Sequence, residues 1–421
     1  MMTENEVRKE RMILVAVCQG REEETMDSLD ELKELAKTAG VDAVASLMQW
    51  RENPDPGTYI GSGKIEETRQ MLDYYEADGI ITDDELSPAQ LNNLADLLDC
   101  KVIDRTLLIL DIFAARARTS EGKIQVELAQ LKYRQQRLVG LRRSLSRLGG
   151  GIGTRGPGEK KLEMDRRLIQ SRIAALNRDL EDVKKHRQLI RKSRLSGNVR
   201  TAALVGYTNA GKSTLMNALT DAEVYADDLL FATLDPTTRM MKFQDGGQVL
   251  LSDTVGFIRK LPHNLIDAFR STLEEAVYAD IIVHVADASS PQMQDQCSIV
   301  YDTLKSLGVQ GKPIITLYNK QDRLTEEQKN TKFFDPYADR SIRISAKTGQ
   351  GLDEFKIALE QTILAGLQLV EVLLPYSEGG KASLIREAGQ VVSEDYGQDG
   401  IRIRAYLPED IAGKLRMYQV K

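Results

Sequence analysis

Ala202-Ala203-Leu204-Val205-Gly206-Tyr207-Thr208-Asn209-Ala210-Gly211-Lys212-Ser213-Thr214 sets an apolar run against a glycine-bounded octet, then passes into a helix-forming stretch that reaches Leu219. That order encodes a buried strand, a tight turn and a helix start, and Gly-x-x-x-x-Gly-Lys-Ser is the spacing of a phosphate-binding loop. Its glycines let the backbone turn so that successive N–H groups face the phosphates, while the helix N-terminus adds the positive end of its dipole. Lys212 is expected on the β- and γ-phosphates and Ser213 on Mg²⁺, with Gly206, Tyr207, Thr208, Asn209, Ala210, Gly211 and Thr214 completing the cradle.

Three further motifs follow in order, each at the end of a strand-like run. Asp253-Thr254-Val255-Gly256 ends the run Val249 to Ser252, which places Asp253 beside the metal and the Gly256 N–H at the γ-phosphate. Between the two motifs lies Phe231-Ala232-Thr233-Leu234-Asp235-Pro236-Thr237-Thr238, where Thr233 is assigned the second Mg²⁺ hydroxyl and Phe231 and Ala232 flank the nucleotide. Thr237 and Thr238 offer the same chemistry and stay open as alternatives. Asn319-Lys320-Gln321-Asp322 follows Ile314 to Tyr318, and Ser345-Ala346-Lys347 follows Ile342 to Ile344. The Asp322 carboxylate accepts two hydrogen bonds from guanine N1 and N2, which adenine does not offer; sites built this way discriminate by about 10⁴ to 10⁵. A lone Asn-Lys-x-Asp is more often a solvated turn, but four ordered motifs at strand ends define a GTP site.

For hydrolysis the named set is Lys212, Thr233 and Gly256. In-line attack by water needs positioning and charge neutralisation. Where Ras-like proteins carry a Gln after Asp-x-x-Gly, this chain has Phe257, whose ring cannot hydrogen-bond water. Turnover by the free protein is therefore expected to be slow, and accelerated by a partner that orders the loop Asp227 to Thr238. Asn209 has two readings of equal weight, a ligand to a K⁺ bridging the phosphates and a stabiliser of the turn.

Composition bounds the rest. At 421 residues the chain is too long for one core, so two to four domains are expected. Its net charge of −6 conceals an asymmetry, because residues 112 to 195 hold 22 Lys or Arg against 8 Asp or Glu. Cys18, Cys100 and Cys297 are too few and too scattered for a disulfide framework or a zinc site, which points to a reducing compartment. The longest apolar run near the start, Met12 to Val17, is too short to span a membrane. A cytoplasmic monomer without a membrane span is expected.

Four blocks emerge, giving a multidomain α/β fold. Residues 1–111 alternate strand-like and helical runs, the pattern of a small parallel α/β domain. Within it Gly61-Ser62-Gly63-Lys64 resembles half a phosphate loop, although a tight strand-to-helix turn explains it more simply. Residues 112–195 read as a basic arm: Leu128, Leu131, Leu138, Leu141, Leu145 and Leu148, then Leu162, Ile169, Ile173, Leu176, Leu180 and Val183, recur at steps that predict an antiparallel coiled-coil hairpin. Two helices of about 30 residues reach roughly 45 Å. Residues 196–366 form the P-loop GTPase domain and 367–421 a small α+β C-terminal domain.

The arm's tip, Gly149 to Glu159, has six glycines in eleven residues and almost nothing to bury. A flexible spacer is the plain reading, yet four or five residues suffice to reverse a helix pair. Glycines that permit close backbone approach, with surrounding cations, suit a phosphate-lined RNA cavity. The candidate RNA contacts are Arg142, Arg143, Arg147, Gly151, Thr154, Arg155, Lys160 and Lys161.

With these residues in hand the chain resembles the HflX family of translation-factor-related GTPases over nearly its whole length. The specific signatures are Gly149 to Glu159, Gln125-Val126-Glu127-Leu128-Ala129-Gln130-Leu131, Phe231 to Thr237, and a hydrophobic residue, Phe257, at the Gln position. The resemblance implies binding of GTP and GDP, contact with the 50S subunit and its 23S rRNA, stimulation of GTP hydrolysis by ribosomes, and dissociation or rescue of stalled or idle ribosomes. It also extends to ATP binding by the N-terminal domain, for which Gly61 to Lys64 is only a candidate. A ribosome-assembly or RNA-modification GTPase is the rival within the same chemistry, and an RNA-binding scaffold with a purely structural GTP site is the rival outside it.

Overall fold

The computed structural model describes residues 8–148, 157–195, 199–220, 230–231, 237–243, 247–260, 273–365 and 367–420, with the backbone alone for 139–148, 157–162, 184, 186–195 and 327. The chain divides into two compact units. One comprises Met1–Glu181, Leu229–Phe231 and Arg259–Phe269; the other comprises Asp182–Asp228, Ala232–Ile258 and Arg270–Lys421.

In the first unit the apolar run near the start becomes β1 (Arg11–Cys18), buried along nearly its whole length because it is an inner strand. With β2 (Asp42–Trp50), β3 (Gly79–Thr82) and β4 (Lys101–Asp104) it forms a parallel sheet in the order β2-β1-β3-β4. Helices α1 (Glu22–Thr38), α2 (Ser62–Tyr74) and α3 (Pro88–Leu98) make the crossovers. Strand order reverses between β1 and β3, and Ile13, Val15, Leu47, Ile80 and Leu94 fill the core beneath. α3 starts where its sequence says it should: Ser87 and Gln90 form a reciprocal capping box and Pro88 opens the helix.

Helix α4 (Arg105–Arg116) runs straight across residue 111, where the sequence reading drew a block boundary. Leu108, Ile109, Leu110, Ile112 and Phe113 are all buried, while Asp111, Ala114 and Ala115 form the exposed face, so a single charge marks the side turned to solvent. The arm follows as α5 (Ser120–Leu148, 29 residues) and α6 (Pro157–Leu195, 39 residues). At 1.5 Å per residue α6 spans about 58 Å, more than the 45 Å expected. Part of the difference is Pro157, whose fixed φ suits the first helical position. Arg172 donates to both Glu127 oxygens at 2.7 and 2.9 Å, joining the two helices, and Leu128 and Leu176 are buried.

The second unit carries a six-stranded sheet in the order β10-β9-β8-β5-β7-β6, built from β5 (Arg200–Val205), β6 (Thr237–Lys242), β7 (Gln248–Asp253), β8 (Ile281–Asp287), β9 (Ile314–Asn319) and β10 (Arg340–Arg343). β6 pairs antiparallel with β7 and the other neighbours are parallel. The ends of β5, β7, β8, β9 and β10 therefore lie along one edge of the sheet, and the four sequence motifs leave from four of them. Downstream, β11 (Leu367–Leu374), β12 (Gln390–Gly397) and β13 (Gly400–Pro408) form an antiparallel sheet in the order β11-β13-β12 with helices at Gly379–Ala388 and Glu409–Lys414. All three cysteines are free thiols.

Candidate guanine nucleotide site

Helix α7 (Lys212–Leu219) begins directly after Gly211, which takes φ +97°. A Cβ there would lie 2.3 Å from Asn319 Nδ2, so the position excludes any side chain twice over. Lys212 folds back over the loop, and its Nζ donates to the Gly206 and Tyr207 carbonyls at 3.0 and 2.9 Å. An ammonium has three donors, and one is left for a phosphate oxygen. Burial pulls the Lys212 pKa down to about 8, the Asp253 charge opposing and the Lys320 charge assisting.

β5 and β7 are neighbours, which brings the second motif to the first. The Ser213 hydroxyl donates to Asp253 Oδ2 at 2.8 Å, and Thr254 Oγ1 locks the segment by donating to the Leu204 carbonyl at 2.7 Å. A hydroxyl and a carboxylate meeting in this way are the hard oxygen donors that Mg²⁺ takes, so the residues present fit that ion. Gly256 lies so close to the loop that a Cβ would come within 2.7 Å of Thr208 Cα and 3.1 Å of Lys212 Nζ. Phe257 is buried and seated by its backbone: its N–H donates to Gly206 O at 3.1 Å and its carbonyl accepts from the Thr208 N–H at 2.8 Å. Val255 is buried beside it, and Thr208 Oγ1 is a buried hydroxyl with no hydrogen-bond partner among the described residues.

The base-reading end is joined to the phosphate end. Asn319 Nδ2 donates to the Ala210 carbonyl at 2.8 Å, and its Oδ1 accepts from the Ala346 N–H at 2.9 Å. Asp322 Oδ1 accepts from the Ser345 hydroxyl at 2.6 Å, which, with minor help from the Arg323 and Lys347 charges, holds the carboxyl below its usual range. Lys320, at φ +64°, pairs with Asp287 Oδ2 at 2.7 Å. Asp287 escaped the sequence reading; its signal was its place at the end of β8, just before Ala288-Ser289-Ser290.

Other named residues fall elsewhere. Ala232 and Thr233 lie outside the described residues. Of the alternatives to Thr233, Thr238 lies on strand β6 with its hydroxyl 2.9 Å from Ser252 Oγ of β7. Phe231 belongs to the first unit, where its ring packs edge-on against Phe113 at 4.6 Å. Gly151, Thr154 and Arg155 lie outside the described residues, as do the side chains of Arg142, Arg143, Arg147, Lys160 and Lys161. Gly61 to Lys64 opens α2: Gly61 is its N-cap and Lys64 pairs with Glu67 at 2.7 Å.

A mostly parallel six-stranded sheet whose strand ends carry phosphate, metal and guanine motifs defines a P-loop GTPase. Family models agree: residues 201–320 match "50S ribosome-binding GTPase", residues 26–114 "GTP-binding GTPase N-terminal" and residues 116–194 "GTP-binding GTPase Middle Region". Among curated relatives, the GTPase HflX of Lacrimispora saccharolytica is 59% identical over 408 residues, covering 97% of this chain and 96% of its own. That of Caldanaerobacter subterraneus is 48% identical, covering 97% and 94%, and that of Escherichia coli K12 is 42% identical, covering 90% and 89%. The chain belongs to the HflX family of GTPases. Among the described residues no helix is long and apolar enough to cross a membrane.

Proposed function

We propose that this GTPase binds the 50S subunit through its helical arm and uses GTP binding and hydrolysis to dissociate stalled or idle ribosomes. The observation that carries the reading is the pairing of a 50S ribosome-binding GTPase domain with an arm of two helices of 29 and 39 residues rich in Lys and Arg. The excess of cations on such a pair of helices favours a phosphate surface such as 23S rRNA.

The chemistry divides among residues already placed. Lys212 and the loop N–H groups bind the β- and γ-phosphates and Asp322 reads guanine; Ser213 and Asp253 would hold Mg²⁺, which would supply charge neutralisation at the phosphates. Phe257 supplies no water-orienting group, so the ribosome is the partner that completes the site, with Thr233 closing it. Triphosphate favours the conformation whose arm engages rRNA, and hydrolysis releases it. At Asn209, φ +59° leaves both the K⁺ and the turn readings standing; exchanging K⁺ for Na⁺ in a turnover assay separates them.

Sedimentation tests the proposal. With GTP or a non-hydrolysable analogue, 70S particles should convert to subunits, whereas GDP should leave them intact. Deleting Gly150 to Gly158 should spare GTP binding and abolish conversion. Particles that stay intact while precursor subunits bind would instead favour an assembly GTPase.

A further inference from the structure

Thr208 belongs to the phosphate loop and is 6% exposed. Its N–H is committed to the Phe257 carbonyl at 2.8 Å, and its own carbonyl, an acceptor, has nothing to offer an anion. What the residue can give a phosphate group is its hydroxyl, and Thr208 Oγ1 is buried with no hydrogen-bond partner among the described residues. Buried hydroxyls are nearly always paired, because one left alone loses its bonds to water without compensation. An orphan inside a ligand site is accounted for when the ligand brings the partner.

The surroundings identify that partner. Gly256, assigned to the γ-phosphate by its motif, packs against the same residue: a Cβ on it would lie 2.7 Å from Thr208 Cα, 2.7 Å from Thr208 Cγ2 and 3.1 Å from Lys212 Nζ. The Thr208 side chain, the Gly256 backbone and the Lys212 ammonium therefore converge on one point. Lys212 keeps one donor after serving the Gly206 and Tyr207 carbonyls, so what they converge on is the terminal phosphoryl group. Next in the chain to Gly256 is Phe257, buried, with its N–H and carbonyl both spent on the loop and no polar atom in its ring.

We propose that Thr208 is a catalytic residue for GTP hydrolysis: its hydroxyl accepts from the attacking water and donates to a γ-phosphate oxygen, orienting the water where Phe257 cannot. The water oxygen bonds the γ-phosphorus, and the bond from that phosphorus to the β–γ bridging oxygen breaks with its electron pair left on GDP. Both protons of the water end on the departing phosphate, and Thr208 is unchanged. A hydroxyl positions water but brings no charge, so turnover without a partner stays slow. The inference rests on the GTPase activity of the family and not on ribosome splitting.

Single-turnover hydrolysis by the full-length protein in excess over GTP, without ribosomes, tests it. Thr208→Val keeps the shape and removes the hydroxyl. Its rate constant should fall about 10- to 100-fold, while affinity for GDP and for a non-hydrolysable GTP analogue stays within about twofold. Thr208→Ser retains the hydroxyl and should stay within about threefold of the unaltered protein. The nucleotide-free valine variant should melt no lower than the unaltered protein, since an unpaired buried hydroxyl adds nothing to the fold. An unchanged rate in Thr208→Val, a serine variant as slow as the valine one, a lower melting temperature, or affinities that fall in step with the rate would each overturn the assignment. Turnover by the unaltered protein reports the GTPase reading itself, so its failure is told apart from that of the hydroxyl.

Discussion

Asn319 binds the carbonyl of Ala210 through its side-chain nitrogen at 2.8 Å, across 109 residues of sequence, while its oxygen holds the Ala346 N–H. The residue thus joins the phosphate loop to both base-reading loops, and neither bond touches the nucleotide's terminal phosphate. Asn319→Ala should weaken GDP and GTP alike, by about 10- to 100-fold for two buried hydrogen bonds. Titration with fluorescent analogues of both nucleotides measures this, and a loss confined to GTP would contradict it.

Asp322 determines which base is accepted. Replacing it with Asn exchanges an acceptor for a donor, which suits the 2-carbonyl of xanthine and repels the 2-amino group of guanine. Asp322→Asn should lose about 10⁴-fold in preference for GTP and gain hydrolysis of XTP. Competition between the two triphosphates reads the outcome directly; unchanged selectivity would remove Asp322 from base recognition.

Lys212 gives a pH signature. Burial lowers its free-state pKa to about 8, and bound phosphates must raise it again. Nucleotide binding should therefore take up part of a proton at pH 8.5 and almost none at pH 6.5, where the amine is already charged. Calorimetry in two buffers of different ionisation enthalpy should give different heats at the higher pH only.

Asp335 governs acid stability. Burial pushes its carboxyl upward, but His284, Thr316 and Tyr301, with the Tyr337 N–H, hold it far below the usual range. Thr316 Oγ1 and Tyr301 Oη donate at 2.6 and 2.5 Å. A group with a depressed folded pKa contributes stability that is fully present above its unfolded pKa, near 4, and is lost as pH falls below it. Asp335→Asn should lower the melting temperature at pH 7 and flatten its decline between about pH 5 and 3. An identical pH dependence in both proteins would exclude the mechanism.

What was legible in the sequence was local. The phosphate loop, the Asp-x-x-Gly and Asn-Lys-x-Asp segments and the strands beneath them announce themselves by spacing and apolar runs, because each motif is short and leaves from one strand end. Helix α4 was not legible as a helix, since its exposed face is Asp111, Ala114 and Ala115, and two alanines do not mark a polar side in the sequence. Nor was the ion pair of Lys260 with Asp83 legible: 177 residues separate them, and no pattern along the chain marks two charges that meet only when a sheet has formed. Asp287 was overlooked for a similar reason, its partner Lys320 being visible only once β8 and β9 are adjacent.

Asp104 closes β4, caps α4 through the Leu107 N–H, accepts from the Leu86 N–H, and receives Tyr133 and Arg137 from the arm. The two upstream family models meet near residue 115, yet this single carboxylate stitches both sides of that seam. A fragment cut there would carry a buried anion stripped of its counter-charge, a defect worth about 3–5 kcal/mol in comparable cases. The limb is therefore not a detachable cartridge: grafting it onto another protein, or expressing either half alone, requires taking Asp104 and its donors along as one piece.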